Sequence, residues 1–223
     1  MSTPTAQQQW FERVWAQREE TVYRALFGDI GNTIHTVPAA LFVKLGQTRI
    51  DPRWPTHGVF ECAATEARGN WVYVTSGLSN PWGVAPEDVK PGDYSGLGFE
   101  FLLQTPRRSA WAIGVLHWLT AVQILVASEL LRGQLVELYD RIPLGSSIDS
   151  RPDGHMRNLI LTEPEAFPRT FELESGRIDL LQCVGISDRE REFGRTQGGP
   201  ELVNLLKHHD AFPITDAARD SVL

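Results

Sequence analysis

Val59-Phe60-Glu61-Cys62, the turn residues Gly69-Asn70, and Trp71-Val72-Tyr73-Val74-Thr75 form the stretch on which the fold turns. β-Branched and aromatic residues dominate both runs, and Gly-Asn between them is turn chemistry, so the segment predicts two strands, 59–65 and 71–75, closed as a hairpin. Upstream, short strands are expected at 34–37 and 41–45. They follow an amphipathic helix over 5–27, in which Trp10, Phe11, Val14, Trp15, Val22, Tyr23, Leu26 and Phe27 recur at three- and four-residue steps. Pro4 suits the first turn of that helix and Gly28 its C-terminal cap. The polar interruption at Gln17–Thr21 predicts a solvated turn or a kink.

Downstream, a long Gly- and Pro-rich loop over 76–98 leads to a strand at 99–103. Ser109 can cap a long helix from Ala110 to about Arg132, with Gly133 to end it. Strands are expected at 135–140, 158–161, 170–173 and 177–186, the last two joined by a Ser175-Gly176 turn. Ser187 and Glu190 stand at capping-box spacing, and Pro200 can start a final helix containing Leu202, Leu205 and Leu206. Strands in runs between helices predict an α+β class, one domain over 1–223, with a mixed, mostly antiparallel sheet packed by helices.

The composition narrows the function. A formal charge of −7 with scattered basic residues opposes the row of phosphate contacts that nucleic-acid binding needs. The apolar stretch Ile113–Leu131 contains His117, Thr120, Gln123, Ser128 and Glu129, which are costly in lipid, so it reads as a core helix and no membrane partner is expected. Cys62 and Cys183 lie in apolar strand-like runs without CxxC spacing and read as buried thiols of a cytoplasmic protein.

Catalytic templates fit poorly. Gly96-Leu97-Gly98-Phe99-Glu100-Phe101 has Phe101 where a dinucleotide loop needs its third glycine, and it runs into a strand instead of opening a helix. Those glycines predict a bulge at the start of the strand. Gly77-Leu78-Ser79-Asn80-Pro81 lacks the second glycine of a nucleophile elbow, and Ser79 reads as a turn residue. No histidine pair has metal-ligand spacing, so no metal and no cofactor are expected. Glu100, between two phenylalanines, faces either solvent or a polar pocket.

Six ordered segments resemble the Suppressor of fused family: Trp71–Ser79, ending in Gly-Leu-Ser; Ser95–Phe101; the helix containing Trp111; Leu159–Glu163; Gly176–Ile186; and Glu201–Leu206 followed by Pro213–Arg219. The resemblance implies the family's α+β fold and no active site. Animal members bind Gli-type transcription factors by strand addition in a cleft between two domains. This chain ends where the first domain would end, so a single-domain bacterial member is the expectation. Some bacterial relatives are regarded as immunity proteins that neutralise toxins. The family's peptide-contacting tyrosine falls on Trp82 and its peptide-contacting aspartate on Asp93. The expected partner-binding set is Trp82, Asp93, Tyr94, Ser79 and Glu100, meeting a protein or extended peptide. The alternatives are a small hydrolase using Ser79 or Glu100 with a distant histidine, and a subunit of a larger assembly.

Overall fold

The expected hairpin supplies two adjacent strands of an eight-stranded sheet. In the computed structural model, which describes residues 5–223, β2 (Gly58–Cys62) and β3 (Trp71–Ser76) pair antiparallel, with Val59 opposite Thr75 and Cys62 opposite Val72. The other strands are β1 (His35–Thr36), β4 (Tyr94–Thr105), β5 (Arg141–Pro143), β6 (Asn158–Thr162), β7 (Thr170–Leu173) and β8 (Gly176–Ile186). They run in the order β1-β2-β3-β4-β8-β6-β5, with β7 paired to β8. Every pairing is antiparallel except β4 with β8.

Helices cover both faces, which is why β4 and β8 read as nearly continuous apolar runs. Phe99, Phe101, Leu103, Leu181 and Cys183 point to one face, beneath α3 (Ala39–Lys44) and α4 (Ala110–Ala127). Leu102 and Leu180 point to the other, where Tyr23 and Phe27 of the N-terminal helix pack. Farther along that second face, Val184 and Ile186 meet Leu202 and Leu206 from the C-terminal pair α5 (Asp188–Gln197) and α6 (Gly199–His208).

α4 is long and apolar enough to cross a membrane by length and composition, but 56% of it is buried against the sheet. Two of its polar residues have partners, whereas the buried Thr120 hydroxyl has none among the described residues. His117 donates from Nε2 to the His35 carbonyl at 2.7 Å, and Gln123 Oε1 accepts the Val136 amide at 3.0 Å. Burial lowers the His117 pKa below the usual imidazole value. Cys62 and Cys183 are free and buried, and desolvation pushes the Cys62 thiol up to about 12.

Several expectations need correction. Residues 41–45 belong to α3, not to a strand: Pro38 caps the helix and Phe42 packs on Trp54 at 5.0 Å between ring centroids. A short apolar run cannot distinguish the two states by periodicity. Residues 135–140 make no strand, because Tyr139 takes φ +70° and breaks the alternation; the strand is β5. α4 stops at Ala127, and Glu129 at φ +59° ends the helical turn before Gly133. β4 starts at Tyr94, five residues earlier than expected, with a register irregularity between Tyr94 and Phe99 where the glycines predicted a bulge.

The N-terminal helix is also more elaborate than expected. Thr5 and Gln8 form a capping box for α1 (Ala6–Ala16). Pro4 lies outside the described residues. The polar stretch is a π-helical segment over Gln17–Tyr23, which passes into α2 (Arg24–Phe27) and ends at Gly28, φ +81°. Its Arg18 has no accessible surface, so the stretch is not simply solvated.

Candidate partner-binding face

The loop after β3 is built around one buried carboxylate. Glu100 projects from β4 to the face opposite Phe99 and Phe101, under the π-helical segment, and has no accessible surface. Its Oε1 accepts the Gly77 amide at 2.9 Å, the Ser79 amide at 2.9 Å and the Ser79 hydroxyl at 2.6 Å. Its Oε2 accepts the Thr75 hydroxyl at 2.6 Å, and Thr75 Oγ1 in turn accepts the Phe101 amide at 2.8 Å. The Arg18 guanidinium lies 4.0 Å away and donates to Ser79 Oγ at 3.0 Å and Asn80 Oδ1 at 2.7 Å. A buried charge is tolerated when it is paired and its lone pairs are filled, and both conditions hold for Glu100.

Two of the segments that carried the resemblance, Trp71–Ser79 and Ser95–Phe101, meet here. The turn at 77–80 closes with the Asn80 amide donating to the Gly77 carbonyl at 2.9 Å. Ser95 Oγ donates to the Ser79 carbonyl at 2.7 Å and lies 2.5 Å from Ser175 Oγ in the β7–β8 turn. Gly96 fits where no side chain would: φ is +57°, and an added Cβ would stand 2.5 Å from the Leu78 oxygen and 2.6 Å from the Asn80 oxygen. Gly96→Ala is therefore expected to cost about 2 kcal/mol in urea unfolding, because backbone atoms cannot move aside as a flexible side chain can. A loss within experimental error would show that the two segments part easily.

The five expected partner-binding residues fall into two groups. Ser79 and Glu100 are fully buried, so neither touches a partner from this position; they hold the loop from within. Ser79 bonds Glu100 and Arg18, not only its own turn. The expected turn serine thus has its Oγ donating to Glu100 and accepting from Arg18, and among the described residues no histidine is hydrogen-bonded to it. His57 packs against Gly77, but its Nδ1 stands 3.1 Å from the carbonyls of Arg53 and Trp54, which can only accept, so Nδ1 carries a proton that it donates to them. Burial lowers its pKa below the usual imidazole value. Among the described residues no group of three His, Cys, Asp or Glu side chains is arranged to hold a metal ion.

Trp82, Asp93 and Tyr94 are on the surface. Trp82 is 38% exposed; its ring packs on Phe11 at 4.3 Å between centroids, and the Arg53 guanidinium lies 5.8 Å from it. The tryptophan thus pins its loop to α1 with part of its surface and presents the rest. Asp93 closes a turn by accepting the Lys90 amide at 2.9 Å and remains exposed. Tyr94 is 50% exposed, with the Arg177 guanidinium 4.6 Å over its ring and hydrogen-bonded to its hydroxyl. Trp82, Val84 and Tyr94 share the lining of a hollow of about 270 Å³ with Trp54, His57 and Leu97. Sequence reasoning missed Arg18 and Asn80. The available signal for Arg18 was its position four residues beyond Val14 on the Trp10–Val14 stripe.

A sequence profile of the family described as Suppressor of fused protein (SUFU) matches residues 53–220. A search of curated proteins found no match. Among solved structures, the chain is similar to a putative Suppressor of fused homolog from Neisseria gonorrhoeae FA 1090, with 17% identity and a TM-score of 0.63 over 96% of this chain and 97% of that one. A chain of the Sufu-Fu complex gives 19% identity and a TM-score of 0.60 over 85% and 93% of the two chains. Drosophila Suppressor of Fused gives 19% and 0.57 over 74% of this chain, which spans 42% of that protein's chain. With the profile match over most of its length, the chain belongs to the Suppressor of fused family.

Proposed function

We propose that this chain is a protein-binding module that sequesters a protein partner, and that the face around Trp82 and Tyr94 makes the contact. The observation that carries the reading is a rigid aromatic surface: Trp82, Val84 and Tyr94 stay exposed around one hollow while the loop beneath them is fastened by the buried Glu100 network. Exposed aromatics on a preorganised loop are suited to act as interface anchors, because little ordering entropy is lost on binding. The solved Sufu-Fu complex supports a protein as the ligand class. The formal charge of −7 favours a basic partner through steering, which fits neutralisation of a basic toxin such as a nuclease in the cytoplasm.

The test starts with a partner captured from the source cells, identified, and titrated against purified chain. Trp82→Ala is expected to weaken that binding by about 2 kcal/mol, roughly 30-fold, at a temperature where circular dichroism shows the variant still folded, because the ring's packing on Phe11 also contributes to stability. Equal affinity for both proteins would move the face elsewhere. Failure of wild type to bind any protein would end the reading.

A further inference from the structure

His57 reaches the hollow beside Trp82 with one edge of its ring. Its backbone is engaged: the amide donates to the Trp54 carbonyl at 3.2 Å, and the carbonyl accepts the Val37 amide at 2.8 Å. Nδ1 faces the Arg53 and Trp54 carbonyls, and the Cδ2 side of the ring packs against Gly77. What remains is the edge carrying Nε2, so that edge lines the hollow. Nε2 has no hydrogen-bond partner among the described residues, and it is not sealed from solvent as the orphaned side-chain nitrogens of Arg18 and Asn80 are. Burial holds the ring's pKa below the usual imidazole value, so at pH 7 the ring is neutral and Nε2 presents a lone pair. His57 is 4% exposed and lies deep, whereas Trp82 and Tyr94 stand at the mouth. Between them the walls are apolar, with Trp54, Leu97 and Ile124.

We propose that this hollow receives an aromatic side chain of the protein partner that carries a donor at its tip, a tyrosine or a tryptophan, whose hydroxyl or indole N–H donates to His57 Nε2. The ring lies against Trp54, Leu97 and Ile124. Both side chains join an apolar body to one polar tip, and the hollow joins apolar walls to one polar point at its base. Its volume of about 270 Å³ has room for one large side chain. Other side chains fit it less well. A phenylalanine or a leucine would cover Nε2 and leave it unpaired. A carboxylate would set its lone pairs against that of Nε2. A lysine or arginine would find no carboxylate, because no Asp or Glu lines the hollow among the described residues, and its charged residue, Arg53, is itself a cation paired with Asp51. The inference rests on the reading that the face around Trp82 and Tyr94 binds protein, and it names the residue that this face takes.

The experiment is selection of peptides from a display library on the full chain, followed by affinity measurement. Selected peptides are expected to share a tyrosine or a tryptophan. Changing a shared tyrosine to phenylalanine, or a shared tryptophan to naphthylalanine, removes only the donor and should weaken binding about fivefold. His57→Asn keeps a donor near the Nδ1 position and removes the acceptor. It should weaken the parent peptide by about the same factor and leave the changed peptide within about twofold. Nitrogen NMR of the wild-type chain needs no variant: the Nε2 resonance should move on binding of the parent peptide, from that of an unbonded lone-pair nitrogen toward that of a hydrogen-bonded one, and stay near its first position with the changed peptide. Selected peptides without a shared donor-tipped aromatic, a changed peptide that binds as tightly as its parent, or an Nε2 resonance indifferent to the parent peptide would overturn the inference. If such peptides are still lost on Trp82→Ala, the binding face stands without this pocket. No selected peptide at all would overturn the inference, while titration of the captured partner against Trp82→Ala still decides the reading above.

Discussion

Glu100→Ala is expected to lower the free energy of unfolding by about 4 kcal/mol, within the range for breaking one side of a buried charge pair. The loss exceeds that of the carboxylate itself. The Gly77 and Ser79 amides and the Thr75 and Ser79 hydroxyls all donate to Glu100 inside the protein, and the buried Arg18 guanidinium lies 4.0 Å from it. Each donor left without an acceptor and without water adds its own desolvation cost. Urea unfolding of wild type and variant reads the loss. Hydrogen exchange should locate it, with the amides of Gly77, Ser79 and Leu97 losing protection beyond the global change. A loss below about 1 kcal/mol would mean that water enters and replaces the carboxylate, and that the loop is not held from within.

Arg219→Ala is expected to cost about 3 kcal/mol at pH 7. Glu190, fully buried, accepts Arg219 in a two-point contact at 2.6 and 2.8 Å, along with the amides of Val222 at 2.9 Å and Ser187 at 2.8 Å. Burial acts most strongly on this carboxyl and would raise its pKa. The guanidinium and the two amides together outweigh it and hold the pKa below the usual carboxylate range. A lowered folded-state pKa contributes stability that is present above the unfolded value, about 4.3, and is lost as pH falls through the folded one. The gap between wild type and Arg219→Ala should therefore narrow as pH falls below about 4. A gap that stays constant from neutral pH to about pH 3 would assign the loss to packing of the arginine stem instead.

The parts of the fold legible in the sequence were those with a local cause. Gly69-Asn70 between β-branched runs, Ser187 three residues before Glu190, and Pro200 ahead of its leucines each act within a few residues, and the structure has the hairpin, the capping box and the helix. What failed depended on tertiary context. Residues 41–45 are apolar enough for either state, and their packing on Trp54 belongs to a helix. Residues 135–140 alternate like a strand, yet the amide of Val136 is taken by Gln123 from α4. At the candidate face, Trp82 and Tyr94 were visible as aromatic residues in a stretch that read as a long loop. The inward role of Glu100 was not, because its partners stand 21 to 25 residues away along the chain and Arg18 lies farther still.

The wide turn at Gln17–Tyr23 makes residue number, and not only residue type, a constraint on the N-terminal helix. Its inward positions Trp10, Val14, Arg18, Tyr23 and Phe27 advance by four, four, five and four residues, and the step of five falls in the wide turn. Each residue of a regular helix turns the face by about 100°. A chain lacking one residue here would make a more regular helix by every local measure. It would also rotate either Arg18 away from Glu100 or Tyr23 and Phe27 away from the sheet. Homologues that align without a gap through this segment keep the same phase; those that lose or gain one residue must rebuild the polar centre beneath the loop, whatever amino acids they retain there.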